Sequence, residues 1–119
     1  MQLQDLKSQL TLVFPVRIDC EERRENLRVV LRQLDGLGCR MLVLEADAVP
    51  ALGDEAWPDG VEYTFVEDAS TVFHRTRYIN ELLRMAGTEV VGVWDTDVLV
   101  GYAQIGEAVL PIYFSFQQI

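Results

Sequence analysis

Asp95 and Asp97 stand two residues apart in Trp94-Asp95-Thr96-Asp97-Val98, immediately after the apolar run Val90 to Trp94. Side chains alternate along an extended backbone, so the two carboxylates would share a face at the carboxyl end of a buried strand while Thr96 points away. Paired oxygens of this kind suit a hard divalent cation. Mg²⁺ or Mn²⁺ takes one or two protein carboxylates and fills its remaining positions with water and substrate phosphates. The ordinary alternative is a solvated turn closing a strand. Glu45 and Asp47 follow a second apolar run, Met41 to Leu44, and Asp68 follows a third, Tyr63 to Val66; Arg17 follows the first, Leu10 to Val16.

The elements that must position these residues can be read from periodicity. Leu10-Thr11-Leu12-Val13-Phe14-Pro15-Val16 reads as a strand buried on both faces, with Pro15 expected to end its pairing. Asp19, with Glu22 three residues later, has the pattern of a helix cap; Leu27, Val30, Leu31 and Leu34 follow at helical spacing, and Gly36 and Gly38 end that helix. Pro50 to Gly60 is expected to be a loop or short irregular helix. Tyr78, Ile79, Leu82, Leu83 and Ala86 predict an amphipathic helix from about Thr71 to Ala86, closed by Gly87. A short helix over Gln104 to Leu110 and a strand over Ile112 to Phe116 complete the expectation. The resulting fold class is α/β, a mostly parallel sheet with flanking helices and Rossmann-like organisation. In open sheets of this class ligands lie beyond the carboxyl ends of the strands, where Arg17, Glu45, Asp47, Asp68, Asp95 and Asp97 would gather. Several acids on one edge repel one another unless a cation or hydrogen-bond donors sit among them.

Composition narrows the function classes. The 119 residues suffice for one domain, and 50% hydrophobic content with 24% charged residues describes a globular chain. A net charge of −9 argues against nucleic acid or an anionic membrane as the main partner. A phosphate ligand would then need a local cation, a metal or one of the arginines, which make up every basic residue except Lys7. Cys20 and Cys39 have neither metal-ligand spacing nor a disulfide-rich pattern, which suits a reduced, cytoplasmic setting. No signal-peptide core and no membrane-length apolar run is present in the sequence.

In their order, Val13-Phe14-Pro15-Val16-Arg17-Ile18-Asp19, Val43-Leu44-Glu45-Ala46-Asp47, Val66-Glu67-Asp68 and Trp94-Asp95-Thr96-Asp97 resemble the nucleotide-binding half of GT-A-fold glycosyltransferases of the family 2 type. The resemblance spans Leu10 to Leu110. It implies a nucleotide-sugar donor, a UDP-sugar, and a saccharide or other hydroxyl acceptor. It implies that Pro15, Val16 and Arg17 cradle the uracil, that Glu45 or Asp47 and then Asp68 accept from base or ribose, that Asp97 holds a Mn²⁺ or Mg²⁺ ion, and that Asp95 touches the ribose or the metal through water. Such proteins commonly carry an Arg-Asn pair on the helix before the fourth strand; Asn80 fits, but Ile79 stands where Arg is expected, and Arg77 or Arg75 would substitute from a turn earlier. The general base of that family lies well beyond the Asp-x-Asp. Here Glu107 is the sole acid after Asp97, so the single domain 1–119 is expected to lack the acceptor-binding half, leaving the apolar run at 112–116 to favour self-association.

Several residues also have plainer roles. Asp19 reads as a cap, and His74 as a surface or capping residue at a helix start. Arg77 and Glu81 are spaced for an ion pair on a solvated face. Trp57 and Trp94 read as anchoring aromatics and Cys39 as a small buried hydrophobe. Two other classes compete with the transferase: a non-catalytic nucleotide-binding or structural module, and a receiver-like Mg²⁺-binding signalling domain. The second would want an acidic pair after the first strand and a late Lys, where this chain has Arg17-Ile18-Asp19 and no Lys beyond Lys7.

Overall fold

The structure, a computed structural model, describes residues 8–96. Asp97, Glu107, the helix expected over 104–110 and the strand expected over 112–116 lie outside the described residues.

The apolar runs become strands β1 (Leu10–Val16), β2 (Arg40–Asp47), β3 (Val61–Glu67) and β4 (Val90–Val93), with helices α1 (Glu21–Asp35) and α2 (Arg75–Ala86) between them. The strands form one all-parallel sheet in the order β3-β2-β1-β4, an α/β arrangement of Rossmann-like type. β1 is buried along its whole length, as a central strand covered on both faces must be. Its even-numbered residues Leu10, Leu12, Phe14 and Val16 pack with Leu27, Val30, Leu31 and Leu34 of α1. On the opposite face Val13, Leu42, Leu44 and Ala46 pack with Tyr78, Leu82 and Ala86 of α2. The two helices therefore cover opposite faces. The chain reverses its direction across the sheet between β1 and β4, so the crevice expected of an open α/β sheet lies at the carboxyl ends of those two strands.

Glycine closes both helices. Gly87 takes a left-handed φ of 70° just past α2, and Gly38 a φ of 77° two residues beyond the Gly36 cap of α1. At the amino ends of the strands, Arg40 pairs with Glu62 and donates to the carbonyls of Met85, at 2.9 Å, and Ala86, at 2.6 Å. It thereby serves the last carbonyls of α2, which have no partner within the helix.

Four local expectations change. Pro15 does not end the pairing of β1, which continues opposite Leu44 and Glu45. The carbonyls of Gln9 and Val13 face β4, and by alternation Pro15 faces the same side, where β4 has already ended; its missing N–H interrupts no bond. The N-cap of α1 is Cys20 rather than Asp19, and it makes no side-chain cap bond. Asp19 instead accepts from Arg23 at 2.8 Å. α2 starts at Arg75, later than the expected start at about Thr71, and Glu81 pairs with Arg84 at 2.7 Å rather than with Arg77. Among the described residues no helix is long and apolar enough to cross a membrane.

Candidate functional site

The strand-end acids divide by face. Glu45 lies on the α1 face and is 0% exposed. Its Oε2 accepts from the Ala51 N–H at 2.9 Å, and its Oε1 accepts from the Leu52 N–H at 3.2 Å and from the Tyr63 hydroxyl at 2.6 Å. The 48–60 connection folds over the sheet here with Leu52 in the core and Trp57 stacked on Tyr63 at 5.2 Å. Burial, and then the Glu45 carboxyl, push the Tyr63 phenol up from its ordinary range. Every oxygen of Glu45 is thus committed to holding this loop. Of the pair Glu45 and Asp47, only Asp47 remains partly exposed at the strand end; its Oδ1 accepts from the Ala48 N–H at 2.7 Å.

On the α2 face Arg17, Asp68, Phe73 and Tyr78 meet. Arg17 donates from Nε to the Ala46 carbonyl at 2.8 Å, from Nη1 to Ser70 O at 2.7 Å and from Nη2 to Asp68 O at 3.2 Å. Its guanidinium carbon lies 5.6 Å from the centre of the Phe73 ring. Asp68 accepts from the Tyr78 hydroxyl and, at 2.9 Å, from the Ser70 N–H. Those two donors, with Arg17 nearby, hold the Asp68 carboxyl well below the usual carboxylate range, and the same bond raises the Tyr78 phenol. Tyr78 was legible only as one position of an apolar helical stripe. The signal for its polar role is chemical: a Tyr in place of Leu or Phe on a buried stripe brings a hydroxyl that must find a partner.

The crevice itself is bounded by Asp95, just after β4, and by Arg75, the first residue of α2. Arg75 Nη2 donates to Asp95 Oδ1 at 3.1 Å, the side chains being 49% and 63% exposed. Of the two arginines that could replace the missing one at Ile79, Arg75 is the one that reaches the Asp-x-Asp segment. A shallow concavity of about 470 Å³ runs along residues 73–77. The first turn of α2 holds no acidic residue, and its cap position, His74, makes no side-chain cap bond. The Arg75 N–H is taken by the Phe73 carbonyl at 3.0 Å, and the other first-turn N–H groups, without a side-chain cap, favour an anion. Pro15 and Val16 are buried in β1, Asn80 is exposed on α2, and Asp97 lies outside the described residues.

The edge is therefore not a bare acidic cluster, because Arg17 and Arg75 supply the positive charge that its carboxylates require. Among the described residues no group of three or more His, Cys, Asp or Glu side chains is placed to hold a metal ion. Asp95 offers one exposed carboxylate, the donor type that Mg²⁺ or Mn²⁺ prefers. Elsewhere Cys39 is buried and its thiol pushed up to about 11 by that burial, while Cys20 is exposed. Comparison with protein-family profiles, with curated proteins and with solved structures returns no match.

Proposed function

We propose that this chain is the nucleotide-binding part of a family 2-like, GT-A-type glycosyltransferase, binding a UDP-sugar at the carboxyl edge of the sheet for transfer to an acceptor hydroxyl. The observation that carries the reading is the Arg75 and Asp95 pair, placed at the β1/β4 reversal beside the uncapped start of α2. A diphosphate there would meet a guanidinium, helix N–H groups and an acidic ligand for a cation. Asp95 and Asp97 would hold Mn²⁺ or Mg²⁺, with phosphate oxygens and water completing the shell. The bound ion would neutralise the charge that grows on the departing diphosphate. Arg75 would bind and orient the same phosphates, and Asp47 would accept from the base or ribose. Two free cysteines suit a reducing compartment such as the cytoplasm.

Titration calorimetry with UDP, with and without Mn²⁺, tests this on the native chain, Asp95→Ala and Asp97→Ala. Metal-dependent binding in the native chain, lost in Asp97→Ala, is the expected result; equal affinity in every condition overturns it. Because Glu45 and Asp68 are engaged internally, base preference rests on Asp47, whose Oδ1 accepts from the Ala48 N–H and lies 4.0 Å from Arg17 Nε, leaving its second oxygen for the ligand. One hydrogen bond to an ionised group corresponds to a preference of UDP over ADP and GDP of about tenfold. A domain that binds nucleotide without transferring sugar would give the same calorimetry and no donor turnover.

A further inference from the structure

Three of the five guanidinium N–H donors of Arg17 end on main-chain carbonyls contributed by two different places in the chain, Ala46 at the end of β2 and Asp68 and Ser70 just after β3. The side chain is only 17% exposed, and its guanidinium carbon sits over the Phe73 ring at 5.6 Å from the ring centre. The contacts close a circuit. Phe73 stacks on Tyr78 at 5.6 Å, the Tyr78 hydroxyl donates to Asp68, and Asp68 returns its main-chain carbonyl to Arg17. The carbonyl of Phe73 in turn accepts from the N–H of Arg75 at 3.0 Å, which ties the first residue of α2 to the same circuit.

We infer that Arg17 is a positioning residue: it fixes segment 68–73 against the ends of β1 and β2, and so sets where α2 begins and where Arg75 meets Asp95. A base-stacking role would have to compete with Phe73 for the guanidinium, and a base-pairing role would have to take donors from carbonyls that have no other side-chain donor among these contacts. A planar fork is suited to joining several carbonyls at once, whereas an ammonium gathers its donors at one point. Arg17 therefore acts on a ligand through Arg75 rather than by touching it.

The nucleotide arm of the test rests on the proposed nucleotide-binding function; the exchange arm does not. In full-length Arg17→Met, amide hydrogen exchange across 68–75 should quicken by about tenfold or more, with exchange in the buried turns of α1 little changed. Arg17→Lys should fall between it and the native chain. With Mn²⁺ present, affinities for UDP, ADP and GDP should drop by one common factor, since a displaced Arg75 weakens every diphosphate alike. A loss confined to UDP that persists in an Asp47→Ala background, where the Arg17 and Asp47 pair is already absent, or unchanged exchange over 68–75, overturns the inference in favour of direct base contact. Should Arg17→Met not fold, Phe73→Leu removes the ring and leaves the carbonyl bonds; the same local pattern at lower amplitude is expected, and uniform exchange across the chain overturns it. If the native chain binds no nucleotide, the functional reading falls while the exchange pattern still decides the role of Arg17.

Discussion

Glu45, near the carboxyl end of β2, and Asp95, just after β4, stand at the same edge of the sheet, yet they sit in opposite kinds of surroundings. Glu45 is enclosed on the α1 face, where two loop N–H groups and a phenol satisfy it. Asp95 is largely exposed on the far side of the crevice and, among the described residues, meets the end of an exposed arginine. The difference comes from the path of the chain beyond each strand. After β2 it turns back over the α1 face and brings its own donors to the acid; beside β4 the contact seen among the described residues comes from the start of α2 across the crevice. An acid surrounded by fixed donors of its own chain serves the fold, and an acid facing water is available to a ligand.

The comparison breaks first at Glu45. Glu45→Ala leaves the N–H groups of Ala51 and Leu52 and the hydroxyl of Tyr63 without their acceptor in a buried place. Stranding several buried donors, partly relieved by water entering the space, should cost about 3 kcal/mol. Thermal unfolding would show it as a fall in Tm of roughly 10 °C. A shift within error would mean that the 48–60 loop does not depend on this carboxyl.

A smaller effect sharpens the contrast on the α2 face. Asp68 is held below the ordinary carboxylate range, first by Tyr78 and then by Ser70. A depressed folded value adds stability at pH above the unfolded value of about 4, and that contribution fades as pH falls from there through the folded value. Tyr78→Phe removes the largest cause and lets the folded value rise toward the unfolded one. The variant should therefore be less stable than the native chain near neutrality, by less than Glu45→Ala, and the two should converge as pH is lowered below about 4. Denaturant melts at a series of pH values measure this; a gap that widens on acidification contradicts the assignment.

How far the sequence reveals these differences depends on how local their causes are. β1 and β2 are legible because burial on both faces writes continuous apolar runs, β3 and β4 because short apolar runs persist in strands that are only partly buried, and the ends of the helices because Gly36, Gly38 and Gly87 punctuate them. The strand bounds are less legible. β2 and β3 run on through Asp47 and Glu67, since a parallel ladder pairs backbone whatever the side chain carries. Glu45 reads as equivalent to Asp47 and Asp95 because nothing in its own neighbourhood shows that Ala51 and Leu52 will return to it. Arg17 reads as a ligand-facing residue because its three carbonyl partners belong to segments 29 to 53 residues away. Hydrophobic periodicity carries no record of such meetings. The fold class lies in local pattern, while the division of the polar residues between structure and crevice is a tertiary property.

The smallest stability effect belongs to Asp95, an acid expected to serve binding. Asp95→Asn removes a charge whose partner, Arg75, is itself half exposed, so water replaces what the pair provides on either side. Exposed pairs of this kind contribute less than about 1 kcal/mol, and salt screens them further. The melting curve of Asp95→Asn should therefore overlay that of the native chain to within a few degrees at moderate salt. Metal-dependent affinity for UDP should fall in the same protein, because an amide oxygen is a poorer donor to a hard cation than a carboxylate. Measured side by side, Glu45→Ala and Asp95→Asn give opposite pairs of results if the two acids are divided as their surroundings imply. A large loss of stability in Asp95→Asn would place Asp95 with Glu45, as a residue that the fold itself requires.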